Sequence, residues 1–491
     1  MWVRMGRPAP GESPSVVHFE AYYYHMMKIV TSICAALALA AMCACAETAS
    51  PVGLTPRAKN LAKVHELDAG RMKNYGGQQN YMVRPGLIAD KTGRVVRVAA
   101  ESLRLSLGSP AEFPLITAAS GKDYEAHAVA FASAQDVHHA LEFIGLTPGH
   151  GVDAGHLQFW PRGDRVAVTF HYRDPAGTNE VHIPAERFTL DSRTGKSLPE
   201  TGFVFTGSEW VEVTEPTTGK VYSADVFTPG CIVAHYNERT TVLDVPRRDS
   251  QSSVYSYQIP NPAVRLPSNQ VIEVTFEPYF KDRLAHQFDF TLTVASGSAT
   301  GHTDLVYTLQ DLAGQPVNTN RSFNGFLASL ERFSGVDQEA YVTFRPDDAL
   351  PMADLRKVAR LLDTLDTERG IRVEAPPKGH PYFRAFIPNE QHRKREERPS
   401  GASELFLGNG AGGVTGTLVL VSVEWKGDDT TPTFSETRIS VPGSDKLIPA
   451  LTSKEDPPAV ILVFVPPSMK YGHFVSLSRR CFSAKRSCMC L

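Results

Sequence analysis

The sequence predicts an α+β protein, and three observations carry that prediction. Short runs that alternate apolar and polar residues recur along the chain between turn residues, which is the pattern of half-buried strands. Only two stretches carry a firm helical stripe, and the last apolar run, Ala459 to Val465, reads as a buried strand of a small mixed sheet.

The first firm helix follows Ser133, which stands at an N-cap position. Val137, Ala140, Leu141 and Ile144 then recur at three-and-four spacing until Gly145 closes the turn. Ahead of it, Ser120-Gly121-Lys122-Asp123 has turn chemistry, and Glu125, His127 and Val129 alternate with Ala126, Ala128 and Ala130 as in a strand. The polar face of that strand is the unusual feature of the chain.

Toward the N-terminus, Thr55-Pro56 suits the start of a short surface helix with Leu61, Val64 and Leu67 on one stripe, 74–86 is a polar link, and the core is expected to begin near Leu87. Beyond the first helix, Val166, Val168, Phe170 and Tyr172 alternate, Asp174 to Gly177 turns, and Glu180 to Ile183 returns as the second arm of a hairpin. Further strands are expected at Phe188–Leu190, Phe203–Phe205, Tyr222–Asp225, Ile232–His235 and Val271–Phe276. Arg247 to Asn269, with Pro260, Pro262 and Pro267, reads as a long functional loop.

A second domain is expected to open near Arg283, with strands at Phe288–Val294, Leu305–Leu309 and Ala340–Phe344. Its helix spans Pro351 to Arg369 with Met352, Leu355, Val358, Leu362 and Leu365 on one side and Gly370 after it. Strands at Ile371–Val373 and Gly416–Trp425 follow. The domains are therefore placed at 1–46 (leader), 47–97 (short helix and linker), 98–282, 283–480 and 481–491 (frayed tail).

Composition excludes some classes. With 42% hydrophobic and 21% charged residues the chain is ordinary globular protein, and a net charge of −3 gives no footprint for nucleic acid. Lys28 precedes an apolar run from Ile29 to Met42 that ends in small residues, which reads as a secretory signal with a working start at Met26 or Met27 and cleavage after Ala46. Lipidation at Cys45 is the alternative, and would make the protein membrane-anchored. Of seven cysteines, only Cys231 lies in the body, so no disulfide framework is expected. The C-terminal Cys488-Met489-Cys490-Leu491 matches a prenylation box, which conflicts with export.

Several constellations carry possible chemistry. Glu125 and His127, with His138 and His139 in the next helix and His150 and His156 beyond, have side chains that zinc accepts, although no metal motif frames them. Ser208, in Thr206-Gly207-Ser208, follows a strand as a nucleophile would, but lacks the G-x-S-x-G elbow. Gly408 to Gly413 is a turn rather than a phosphate loop, and His392 to Arg398 is a solvated charged loop. Glu125, His127, Trp160, Thr206, Gly207 and Ser208 are taken as the candidate binding surface, on the expectation that Trp160 and the Thr206 turn reach one rim near Glu125.

The order of these elements, with FWPRGDRVAV at Phe159 to Val168 and GFVFTGSEWV at Gly202 to Val211, resembles a YdjY-type domain over 98–280. The resemblance implies a bacterial envelope protein without an agreed set of catalytic residues. The stretch from Val342 to Val373 is faintly similar to one β-α-β unit of ExbD/TolR periplasmic domains, whose membrane anchor has no counterpart here. The combined expectation is a strand-rich YdjY-like domain with one main helix, then a smaller α/β domain of mixed sheet with helix cover. Its role is expected to be an exported, non-enzymatic binding or assembly module without cofactor, whose partner is an envelope protein or small ligand. A metal-dependent or hydrolytic enzyme using Glu125 and His127 is the alternative, and a redox role is disfavoured because a cluster needs closely spaced cysteines.

Overall fold

The computed structural model describes residues 55–387, 403–424, 433–441, 460–476 and 487–490, apart from short internal stretches. The leader, the 392–398 charged loop and Cys481 lie outside the described residues. By contacts, 56–421 and 436–491 belong to one compact unit, which holds every element that shapes the site. The chain is α+β, strand-rich with a few helices.

Helix α1 (Pro56–Tyr75) is followed by β1 (Tyr81–Arg84), β2 (Leu87–Asp90), β3 (Val95–Ser102), β4 (Phe113–Ile116), β5 (Ala126–Ala130) and α2 (Ala134–Phe143). Next come β6 (Pro148–His150), β7 (Arg162–Gly163), β8 (Arg165–Arg173), β9 (Glu180–Pro184), β10 (Thr189–Asp191), β11 (Lys196–Ser197) and β12 (Phe203–Phe205). β13 (Trp210–Val213), β14 (Gly219–Tyr222), α3 (Ser223–Val226), β15 (Cys231–Val233), β16 (Leu243–Asp244), α4 (Gln251–Tyr257), β17 (Gln258–Pro260) and β18 (Val271–Pro278) complete this half.

Eight of these strands close on themselves in the order β3-β18-β8-β12-β16-β15-β4-β5, with β5 pairing back onto β3 through Ala100 and Ala130. Closure removes the sheet edges, and an eight-stranded barrel is narrow enough for side chains to fill it. The alternates Val96 and Val98, Val166, Val168 and Phe170, and Val274 and Phe276 are buried in one cluster with Phe203 and Phe205, as period-two burial requires. The same cluster takes up Val137, Ala140, Leu141 and Ile144 of α2. Ser133 caps that helix by accepting from the Asp136 N–H, and Asp225 of α3 accepts from the N–H groups of Ala134 and Gln135.

The second half holds a five-stranded sheet, β21-β20-β19-β22-β23, built from β19 (Gln287–Gly297), β20 (Asp304–Gln310), β21 (Pro316–Asn320), β22 (Glu339–Pro346) and β23 (Arg372–Glu374). Between its strands lie α5 (Phe323–Glu331) and α6 (Met352–Glu368). β22 runs parallel to both β19 and β23. Met352, Leu355, Val358, Leu362 and Leu365 of α6 are buried, the face the heptad-like spacing marked out. β24 (Ser403–Gly410) and β25 (Gly413–Glu424) pair antiparallel with Gly410 level with Gly413, β26 (Thr433–Val441) follows, and β24 also pairs in parallel with β27 (Val460–Phe464).

Four local expectations are corrected. The helix at Pro56 runs to Tyr75, and the link after it contains β1. Tyr222 ends a strand and Ser223 to Val226 is a helical turn, because Asp225 is drawn to the α2 N-terminus. The proline-bearing stretch contains α4 and β17 rather than loop alone. In the tail, Ser487–Cys490 pairs in parallel with β27.

Candidate functional site

A cleft of about 600 Å³ opens beside the barrel. Its walls come from the segment after β3, with Leu103 and Leu105, and from the proline-bearing segment after β17, with Val264 and Leu266; Phe188 and His127 face it from beneath. The Leu103 N–H donates to the His127 carbonyl at 2.8 Å, so barrel closure itself sets the first wall against β5. Asn261 fixes the second wall, donating from its side chain to the Arg187 carbonyl at 2.8 Å and accepting from the Ala263 N–H at 2.9 Å.

His127 is 6% exposed, and burial alone holds its pKa down to about 4, so the ring is neutral at pH 7. Its Nε2 lies 3.3 Å from Thr189 Oγ1, and that hydroxyl lies 3.2 Å from Nδ1 of His235. His235 Nδ1 is also 3.2 Å from the Ala111 carbonyl, which can only accept. The proton of His235 therefore sits on Nδ1, and the Thr189 hydroxyl, one donor with two lone pairs, bridges the two rings. A backbone carbonyl thus fixes the tautomer of His235. The Phe188 ring packs 5.5 Å from the His127 ring and keeps water from its other side.

Glu125 points elsewhere. It and Glu112 are both buried and form a hydrogen-bonded carboxyl pair under α4, where Tyr255 donates to Glu125 at 2.7 Å and Gln251 donates to Glu112 at 3.2 Å. Lys122 Nζ stands 3.5 Å from Glu125. Burial, then the bond to Glu125 and its charge, push Glu112 up to about 8. Burial acts upward on Glu125 as well, but the bonds from Glu112 and Tyr255 and the Lys122 ammonium outweigh it and hold Glu125 below the usual carboxylate range. At pH 7 the pair shares one proton, resident on Glu112.

That proton has a stability consequence. A carboxyl raised by folding contributes stability that is complete below its unfolded pKa and is lost as pH rises through the folded value, here from 4.5 to about 8. His127 has the opposite sign: its contribution is present above 6.5 and is lost as pH falls through about 4. The variant Glu112→Gln keeps the donor to Glu125 and cannot ionise. Thermal melts between about pH 5 and pH 9 are expected to show the wild type losing stability toward alkali and Glu112→Gln keeping it. Equal alkaline slopes would refute the shared proton.

The other sequence candidates do not join this site. Strand register places the Thr206 turn at the far end of the sheet from Glu125: Phe205 is level with Leu243, Leu243 with Val233, Val233 with Leu115 and Leu115 with Ala128, and Thr206 continues away from the Glu125 end. Thr206 Oγ1 donates to the carbonyls of Thr241 and Val242, and Ser208 Oγ donates to the Thr240 carbonyl at 2.7 Å, so the turn is a structural corner. Gly207 holds φ +85° there, and its carbonyl accepts from Tyr222 at 2.7 Å and faces His138 Nδ1 at 2.9 Å.

Trp160 is buried rather than on a rim, with the guanidinium carbons of Arg248 and Arg372 4.4 and 5.3 Å from its ring centre. The convergence expected of Glu125, Trp160 and Ser208 fails although β4, β5 and β12 run the same way, because Glu125 precedes β5 whereas Thr206 follows β12, which puts them at opposite ends, and Trp160 is buried. Metal binding by Glu125, His127, His138 and His139 loses its geometry too: among the described residues no three His, Cys, Asp or Glu side chains converge. Cys231 is fully buried, and burial holds its thiol well above the usual range.

Sequence reasoning missed Thr189, His235 and Glu112. Each sits in an ordinary strand context, and no spacing relates Glu112 to Glu125 or His235 to His127. The proline-bearing segment stood out in the sequence, and Pro260, Val264 and Leu266 from it line the cleft. No protein-family model matches the chain, and no curated protein is similar to it. The chemistry of the cleft therefore rests on its own geometry.

Proposed function

We propose that this is an exported cell-envelope protein whose barrel half binds a small, largely apolar molecule without transforming it. The observation that carries the reading is the buried neutral His127 in a cleft of about 600 Å³ whose wall mixes leucines and Val264 with Arg104 and Asn261, a volume within the range of small-molecule sites. Leu103, Phe188, Val264 and Leu266 suit an apolar body. His127, neutral and bonded to Thr189 through Nε2, leaves its ring one further hydrogen bond for a polar atom of the ligand such as an oxygen. A charged group beside His127 would meet a neutral ring, which does not repay desolvation, while Arg104 stands at the exposed part of the wall.

Export rests on the leader, and the YdjY-like assignment of the barrel half and the α/β assignment of the second half rest on the motifs and element order given above. Glu125 and His127 share no hydrogen bond among the described residues, which leaves the enzymatic alternative without a paired acid and base. Among the same residues no helix is long and apolar enough to cross a membrane.

The test uses Nile red, a neutral apolar dye with a carbonyl, titrated by fluorescence. Val264→Trp, which fills the cleft, is expected to weaken binding at least about tenfold, and His127→Phe about five- to tenfold, the worth of one hydrogen bond. Absence of binding to the wild type, or wild-type affinity in Val264→Trp, would end this reading.

A further inference from the structure

On the β8–β9 hairpin, away from the cleft, His171 and His182 are direct cross-strand partners. Their Nδ1 atoms are 2.5 Å apart and their ring centres 4.6 Å. β8 alternates burial, so while Val168 and Phe170 enter the core, His171 stands half-exposed and His182 is exposed on the neighbouring strand. Two ring nitrogens facing each other need either a proton or a cation between them. His171 is oriented from behind: its Nε2 lies 2.8 Å from Thr275 Oγ1, as the outer partner of a metal-binding histidine does. With Nε2–H donated to Thr275, the lone pair of Nδ1 points at His182.

We propose that His171 and His182 form a two-histidine site for Cu²⁺. Imidazole nitrogens bind such ions at about 2.0–2.1 Å, which puts two of them about 2.9 Å apart at the right angle of a tetragonal site and about 3.3 Å apart in a tetrahedron. From 2.5 Å the rings need to open by only about 0.4 Å for tetragonal copper, and about twice that for tetrahedral zinc. Copper also binds nitrogen ligands most tightly of the divalent first-row ions.

The carboxylate next in the row, Glu273, pairs with His171 in register but is held by Arg97 at 2.8 Å, with Arg71 at 3.8 Å. The remaining positions on the ion therefore fall to water. On binding, the proton shared by the two Nδ1 atoms moves to the outward Nε2 of His182, so both nitrogens present lone pairs without net change of charge on the rings.

Cu²⁺ is titrated into the full-length protein against glycine as competitor, with electron paramagnetic resonance of the equimolar complex. The expected result is one equivalent bound with couplings to two nitrogens, weakened at least about tenfold in both His171→Asn and His182→Asn, and weaker binding of Zn²⁺ than of Cu²⁺. Circular dichroism establishes that the variants fold; His182 is exposed, so His182→Asn reports on binding even if His171→Asn perturbs the strand. Wild-type affinity and unchanged nitrogen couplings in His182→Asn would overturn the proposal.

Discussion

Glu339→Ala is expected to lower stability by about 3–5 kcal/mol, the cost of leaving buried charges without their partner. Glu339 opens β22, is 5% exposed, and meets Arg165 Nη1 of the barrel at 2.5 Å and Arg372 Nη1 of β23 at 2.9 Å. Gln287 and Tyr341 occupy its other oxygen at 2.9 and 3.2 Å. Arg372 also donates to the Pro246 carbonyl at 2.8 Å, and Arg162 pairs with Asp289 at 2.5 Å and lies 3.6 Å over the Tyr341 ring. One carboxylate oxygen therefore pairs with two guanidiniums, one from the barrel half and one from the second half.

Burial alone would raise the Glu339 carboxyl, but Arg165 and Arg372 overcome it and hold it down to about 2. Its contribution is present above the usual value of 4.5 and is lost as pH falls toward 2. Urea denaturation is expected to show a lower midpoint for Glu339→Ala. The triple exchange R165M/E339L/R372M, which removes the charges together, should regain most of the loss, because hydrophobic replacement of a whole buried ion group is often neutral or better. A Glu339→Ala protein as stable as the wild type would mean that water reaches the cluster.

Gly163→Ala is expected to be comparably damaging, for a reason of backbone rather than charge. Gly163 has φ +139°, and a Cβ there would fall 1.9 Å from the Phe205 carbonyl oxygen in β12. Neither the turn nor the barrel strand can yield cheaply. Backbone strain of about 1–3 kcal/mol and overpacking of similar size place the loss near 4 kcal/mol, read as a fall in melting temperature. Gly219→Ala, where an added Cβ meets nothing within 4 Å, should be neutral and is the matched control. A Gly163→Ala melt within a degree or two of wild type would show that the close approach is not maintained in solution.

Much of the local architecture was legible because it depends on neighbours in sequence. Ser133 caps its helix through the Asp136 N–H, three residues on, and the hairpin of β8 and β9 follows from alternation that any one strand displays. The α6 stripe was equally plain. The candidate site was half legible: His127 and the proline-bearing segment were marked, whereas Trp160 and Ser208 were misplaced. An aromatic next to a turn looks the same in sequence whether it faces solvent or, as here, lies between two arginines from distant segments.

By itself the sequence determined the α+β class, the main helices and hairpin, and the strand that carries His127, since each follows from short-range periodicity and capping; Glu125, expected on that strand, instead ends a 3-10 turn, Asp123–Glu125, ahead of it. Only the tertiary structure decided that eight strands close into a barrel, because closure depends on β3 sharing one edge between β2 and β5. Glu125 ends the 3-10 turn ahead of β5 and its carboxylate goes to Glu112 under α4, while His127, on β5, faces Thr189 and the cleft. His127 and Thr189 lie 62 residues apart and Glu125 and Tyr255 lie 130 apart, in no periodic relation, and a hydrogen bond between groups brought together by folding leaves no trace in local spacing.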